Sequence, residues 1–181
     1  MGDLRAAILS YNRSESYYEA VWAKAIAYGM APDGSAGVGE GPSQLAVPGP
    51  GRTFVGDPSV VVQAALSQLG VPYRWGGSTP GVALDCSGLV LVAFRSAGIE
   101  LPRTTAGQVA VGVEVDPDAS GLVAGDLLFF RGGQPTHDLG HVAIYAGSGL
   151  MVIAPRTGEV VSLRPVPVGT LQAVRRIVKG S

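Results

Sequence analysis

A disulfide is the first thing this chain cannot form: its 181 residues hold a single cysteine, Cys86. With no intramolecular bridge open to it, cysteine usage assigns no redox compartment. The same scarcity argues against zinc. Neither Cys-x-x-Cys nor His-Glu-x-x-His occurs, and with two histidines in all no metal or other cofactor is expected. Charge is sparse and balanced, 13 basic against 14 acidic residues, with no basic patch interleaved with aromatics, so nucleic acid is not an expected partner. The longest apolar run, 89–94, falls far short of the ~20 residues that cross a bilayer as a helix. A basic-then-apolar leader is missing at the start, and Ala6 stands where a myristoylation signal needs Ser or Thr.

What is present is apolar material, 46% of the chain, ample for one packed domain and something extra. Residues 4–29 read as helical, with Ser14 as a candidate N-cap and apolar positions at Tyr18, Val21, Trp22, Ala25 and Ile26. Residues 30–56, rich in Gly, Pro and Ser and without periodicity, read as a flexible linker. A main domain over 57–181 opens at Asp57-Pro58, an N-cap followed by proline at the first helical position. Its first helix carries Val61, Val62, Ala65, Leu66 and Leu69 on one face and ends by Gly70. The turn-rich segment 71–77 follows, and its aromatics Tyr73 and Trp75 either plug the core or wall a cleft. A second helix starts at Cys86 and closes at Gly98, and a short one lies around Gln108. Strands are expected at 127–130, 140–146, 150–154, 159–163 and 173–178. Helices first and an antiparallel meander second make an α+β pattern.

The chemistry gathers at Asp85-Cys86-Ser87-Gly88. A lone cysteine on an apolar stripe is most often a small hydrophobe. This one has polar neighbours, a glycine two residues on that lets a ligand or second backbone approach, and a place in a helix's first turn, where unpaired N–H groups favour a thiolate. A thiolate nucleophile needs an acid/base partner. His141 is the better candidate, at the head of a strand, with the small Ala143 on its face expected to leave room for a helix end. His137, in a polar loop, reads as a solvated residue.

Five segments then carry a resemblance: Pro72-Tyr73-Arg74-Trp75-Gly76-Gly77, Asp85-Cys86-Ser87-Gly88-Leu89-Val90, Leu101-Pro102-Arg103-Thr104 with Gln108, Gly125-Asp126-Leu127-Leu128-Phe129-Phe130, and Gly140-His141-Val142-Ala143-Ile144-Tyr145. Colinear along the chain from residue 72 to residue 145, they are similar to the NlpC-type cell-wall cysteine peptidases. The resemblance implies a papain-like fold with N-terminal helices packed on a central antiparallel sheet. It also implies hydrolysis of the peptidoglycan stem peptide, commonly between D-γ-glutamate and meso-diaminopimelate. Carried over by position, it makes Cys86 the nucleophile, His141 its acid/base and the Cys86 N–H an oxyanion donor. Tyr73 reaches the active centre, Asp85, Ser87 and Arg103 hold polar groups of the substrate, and Asp126 ties its loop.

The chain departs from the pattern at Ile153, where a polar residue should orient the histidine; a backbone carbonyl, a water or Glu159 is left for that role. A binding module with little turnover is therefore the alternative. The stretch 6–21 also resembles the closing segment of lytic transglycosylase domains. That fits an upstream domain and export signal missing from this chain, and action as a monomer outside the cell or at its wall.

Overall fold

The computed structural model describes residues 57–117, 121–131 and 140–178. The expected helix 4–29, the linker 30–56 and His137 lie outside the described residues. Helix α1 spans Pro58–Leu66, and Asp57 caps it by accepting the Ser59 N–H at 2.8 Å. Its buried residues are the expected Val61, Val62, Ala65 and Leu66, whereas Leu69, past the helix end, is half-buried. Helix α2, Cys86–Ser96, is capped by Asp85 and closed by Gly98, which takes φ +73°. There the Ile99 N–H bonds Phe94 O and the Gly98 N–H bonds Arg95 O, the paired bonds of a Schellman motif. Helix α3, Thr105–Val109, starts under a Thr104 cap.

A two-residue ribbon, β1 (Ser78–Thr79) with β2 (Ala83–Leu84), leads into α2. The main sheet holds β3 (Val113–Val115), β4 (Leu127–Phe130), β5 (His141–Gly147), β6 (Leu150–Ile153), β7 (Ser162–Pro165) and β8 (Leu171–Arg176) in the order β3-β8-β4-β5-β6-β7. Among the described residues every pairing in it is antiparallel. The meander expected from sequence is β4 to β7. Strand β7 begins three residues later than 159 because that stretch bonds the segment after α1 instead: Val161 N–H meets Val71 O, and Tyr73 N–H meets Glu159 O. Strands β1, β2 and β3 are additions, too short to show period-two alternation.

Alternation splits the sheet's side chains between two cores. Val142, Ile144, Ala146, Val152, Ala154 and Leu163 pack with α1 and α2. Leu128, Phe130, Ala143, Tyr145, Met151 and Ile153 form a second cluster on the other face. Leu89, Val90, Ala93 and Phe94 of α2 are wholly buried. At ~1.5–3 kcal/mol for each large side chain so buried, that packing outweighs the ~1 kcal/mol of a helix cap. Tertiary contact thus holds α2 in place and the cap sets where it starts. The architecture is the papain-like α+β fold: helices on one face of an antiparallel sheet, with the head of α2 directed at β5.

Candidate active site

Cys86 is buried, 5% exposed, as its phase on the stripe requires. Its sulfur lies 3.8 Å from Thr105 Oγ1, and the backbone amides of Val142 and Ser87 favour its anionic form. Val142 follows His141, so the head of β5 meets the first turn of α2. The expectation that its place in the first turn of the helix favours a thiolate is corrected. Burial pushes it above its ordinary value, with the Asp85 charge adding to the rise, against the lowering by Thr105 and the two backbone amides. Burial is the main reason, and the Asp85 carboxylate adds to it by occupying the helix terminus, where it takes the Gly88 N–H at 2.7 Å.

Asp85, Ser87 and Arg103 form one hydrogen-bonded knot. Arg103 Nη1 donates to Asp85 Oδ1 at 3.0 Å and to Ser87 Oγ at 2.9 Å, while Nη2 donates to Asp85 Oδ2 at 2.7 Å and to Gly77 O at 3.2 Å. Gly76 N–H adds a bond to Asp85 Oδ2 at 2.9 Å, and Ser87 Oγ donates to Asp85 Oδ1 at 3.3 Å. Asp85 and Ser87 are buried, and their polar atoms are engaged within the protein. The Arg103 side chain keeps 38% exposure, so of the three it is the one that also faces outward. The second backbone expected at Gly88 is that of Gly77: a Cβ on Gly88 would stand 2.0 Å from Gly77 O. This contact presses the 72–77 segment onto the head of α2. Tyr73 is half-buried against the main core. Burial raises its phenol first, the Cys86 and Asp85 charges raise it further, and Arg103 lowers it. Trp75 neither plugs the core nor lies half-covered; it is 83% exposed.

His141 pairs with Phe130 across β4 and β5 and is half-buried. Ala143, expected beside the approaching helix, lies on the opposite face of the sheet, and Val142 and Ile144 meet α2. Ile153 is buried, with Ser162 directly across from it on β7. Next on β7's same face is Arg164, which donates to Ser162 Oγ at 2.9 Å and to Glu159. Glu159 also receives Arg156, and the two arginines hold its carboxyl below the usual range. It is committed to them. The charge acting on the imidazole is the Arg164 guanidinium, which together with the larger effect of burial holds His141 below its ordinary value. Both groups of the candidate dyad are thus biased toward their neutral forms.

Asp126, read from sequence as a loop tie, is fully buried. It accepts Arg176 Nε at 2.7 Å, Arg176 Nη2 at 2.8 Å and the Val123 N–H at 2.8 Å. Thr105 escaped the sequence reading. The one signal for it was its place beside Thr104 at the start of a helix. Among the described residues no group of three or more His, Cys, Asp or Glu could hold a metal ion, and no helix is long and apolar enough to cross a membrane.

Known proteins resemble this chain in sequence and in fold. The probable endopeptidase Rv2190c of Mycobacterium tuberculosis is 44% identical over 139 residues, 72% of this chain and 34% of the relative. The murein DD-endopeptidase MepH of Escherichia coli is 40% identical over 106 residues, 58% of this chain and 38% of the relative. The chain therefore spans roughly a third of the length of these curated relatives. Among solved structures, RipD of Mycobacterium tuberculosis, described as a non-catalytic NlpC/p60 domain protein adapted to peptidoglycan binding, superposes with a TM-score of 0.54 at 32% identity. That match covers 66% of this chain and 96% of RipD. Residues 70–177, from the turn after α1 to the end of β8, match the NlpC/P60 family, and the chain belongs to that family.

Proposed function

We propose that this chain is a peptidoglycan endopeptidase that cuts the stem peptide at the D-γ-glutamyl–meso-diaminopimelate bond, with Cys86 as nucleophile and His141 as acid/base. The observation that supports the reading most is the packing of Cys86, at the head of α2, in one core cluster with Val142, the residue that follows His141 on β5. In the acylation step the thiol proton passes to the imidazole while sulfur bonds to the scissile carbonyl carbon, and the oxyanion forms at the Cys86 N–H. Collapse breaks the C–N bond, and His141 returns the proton to the leaving amine. Water then attacks the thioester, His141 takes its proton, and the thiol is restored as the acid product leaves. Neutral resting partners suit this sequence, since the proton moves only as the bond forms. Substrate carboxylates meet Arg103, the outward-facing member of the knot, and Tyr73 borders the same site. Such a substrate implies action outside the cytoplasmic membrane.

A second reading rests on Ile153. With isoleucine where the imidazole's orienter is expected and a guanidinium as its charged neighbour, the domain binds peptidoglycan and turns it over slowly, a use of the fold for which RipD is the precedent. Mass analysis of peptidoglycan digested by wild type and by Cys86→Ala decides between them. New termini at one stem bond that vanish in the variant support the enzyme; binding without cleavage, equal in both proteins, supports the module.

A further inference from the structure

Among the described residues one side-chain hydroxyl bonds the thiol, and it comes from a different element. Thr105 opens α3, and its Oγ1 stands 3.8 Å from Cys86 Sγ, a contact in which either atom can be the donor. That helix is held to the head of α2 by Gln108. This side chain is fully buried, and its Nε2 donates to Ser87 O at 3.0 Å and to Pro102 O at 2.9 Å. Gly107 lets α3 press close, since a Cβ there would stand 2.5 Å from Pro102 Cβ. The position of the hydroxyl is therefore set by a bracket around residue 87, not by chance exposure.

From this geometry we propose that Thr105 is a further catalytic residue, whose hydroxyl accepts from the Cys86 thiol at rest and rotates to donate to the sulfur as it becomes anionic. No proton is transferred to threonine. The thiol proton leaves for His141, and the Thr105 O–H turns to face the charge left behind, beside the fixed amides of Ser87 and Val142. A hydroxyl suits this use because it is donor and acceptor at once and its hydrogen rotates freely. In a buried site, a donor aimed at developing charge acts far more strongly than it would in water. The other groups that act on the sulfur do different things. The Asp85 carboxylate opposes ionisation, Arg103 and Tyr73 lie in the same field, and His141 stands at the head of β5.

The inference deepens the proposed role of Cys86 and is tested apart from peptidoglycan. Because Cys86 is the only cysteine, the pH profile of iodoacetamide alkylation of the full chain reads this thiol directly. Thr105→Val, which keeps the shape and removes the hydroxyl, is expected to move the alkylation midpoint up by about half to one pH unit and to slow reaction at pH 7 about three- to ten-fold. Thr105→Ser is expected to restore the wild-type profile. A Thr105→Val profile that superimposes on wild type overturns the proposal, as does a Thr105→Ser profile that matches Thr105→Val. Should Thr105→Val fail to fold by circular dichroism, Thr105→Ala against Thr105→Ser carries the same comparison. A shifted profile in a protein that cleaves no peptidoglycan supports the hydroxyl's role and removes the endopeptidase reading alone.

Discussion

Arg103 grips both oxygens of the Asp85 carboxylate, at 3.0 and 2.7 Å, while that same carboxylate caps the helix that carries Cys86. One ion pair thereby ties the helix that carries Cys86, the 76–77 turn and the approach to α3 into a unit.

Removing Arg103 leaves a buried carboxylate with amide and hydroxyl donors only. The guanidinium's partial exposure reduces the loss, so Arg103→Ala is expected to destabilise by about 1–3 kcal/mol. Arg103→Lys should recover less than half, because an ammonium cannot match the two-pronged geometry. Urea unfolding midpoints of the three proteins check this. A lysine variant as stable as wild type would remove the argument from fork geometry.

Two glycines near the site should respond in opposite degree to alanine. At Gly88 an added methyl meets the Gly77 carbonyl oxygen at 2.0 Å, backbone that cannot step aside. The expected cost is about 3 kcal/mol or more. Gly98 has open space around it, and its φ of +73° is the sole obstacle, worth about 1 kcal/mol. Thermal denaturation of Gly88→Ala and Gly98→Ala gives the contrast, and equal losses would contradict it.

The His141 environment makes a signed pH prediction. Burial and the Arg164 charge depress its folded value, so the unfolded chain binds the proton more tightly than the folded one. The stability this group contributes is present in full above the unfolded value near 6.5. It is lost as pH falls from there through the folded value, and the loss then levels off. The unfolding free energy of wild type should therefore drop more than that of His141→Gln between pH 7.5 and pH 5. Equal slopes would count against a depressed histidine.

Ile153→Glu should bring a carboxylate toward the imidazole, with Arg164 and Ser162 at hand to receive it. If orientation limits turnover, kcat should rise about ten-fold or more while KM changes little, and nuclear magnetic resonance titration should show the imidazole pKa moving up. A raised pKa with no gain in turnover would place the bottleneck elsewhere. The test also weighs the two functional readings, since a pure binding module should gain nothing.

Much of this was legible in the chain itself because its signals are local. Asp57-Pro58 and Asp85 mark helix starts, Gly98 marks a stop, and the three-and-four spacing from Leu89 to Phe94 names the buried face. Strand β4 could be read from its apolar run. The short pieces were not legible. Strands β1, β2 and β3 hold two or three residues each, and such lengths show no period. The later start of β7 followed from a backbone pairing with residues some ninety positions earlier.

By itself, the sequence determined the helix carrying the thiol, the face it buries and the strand headed by the histidine, since each is written in neighbours a few residues apart. Three things were decided only by the tertiary structure. Asp85 and Ser87 close on Arg103, Thr105 is the hydroxyl that meets the sulfur, and Arg164 is the charge that acts on His141. Electrostatic interaction depends on distance and on the medium between the groups, and both are set by which elements pack together, not by their order along the chain.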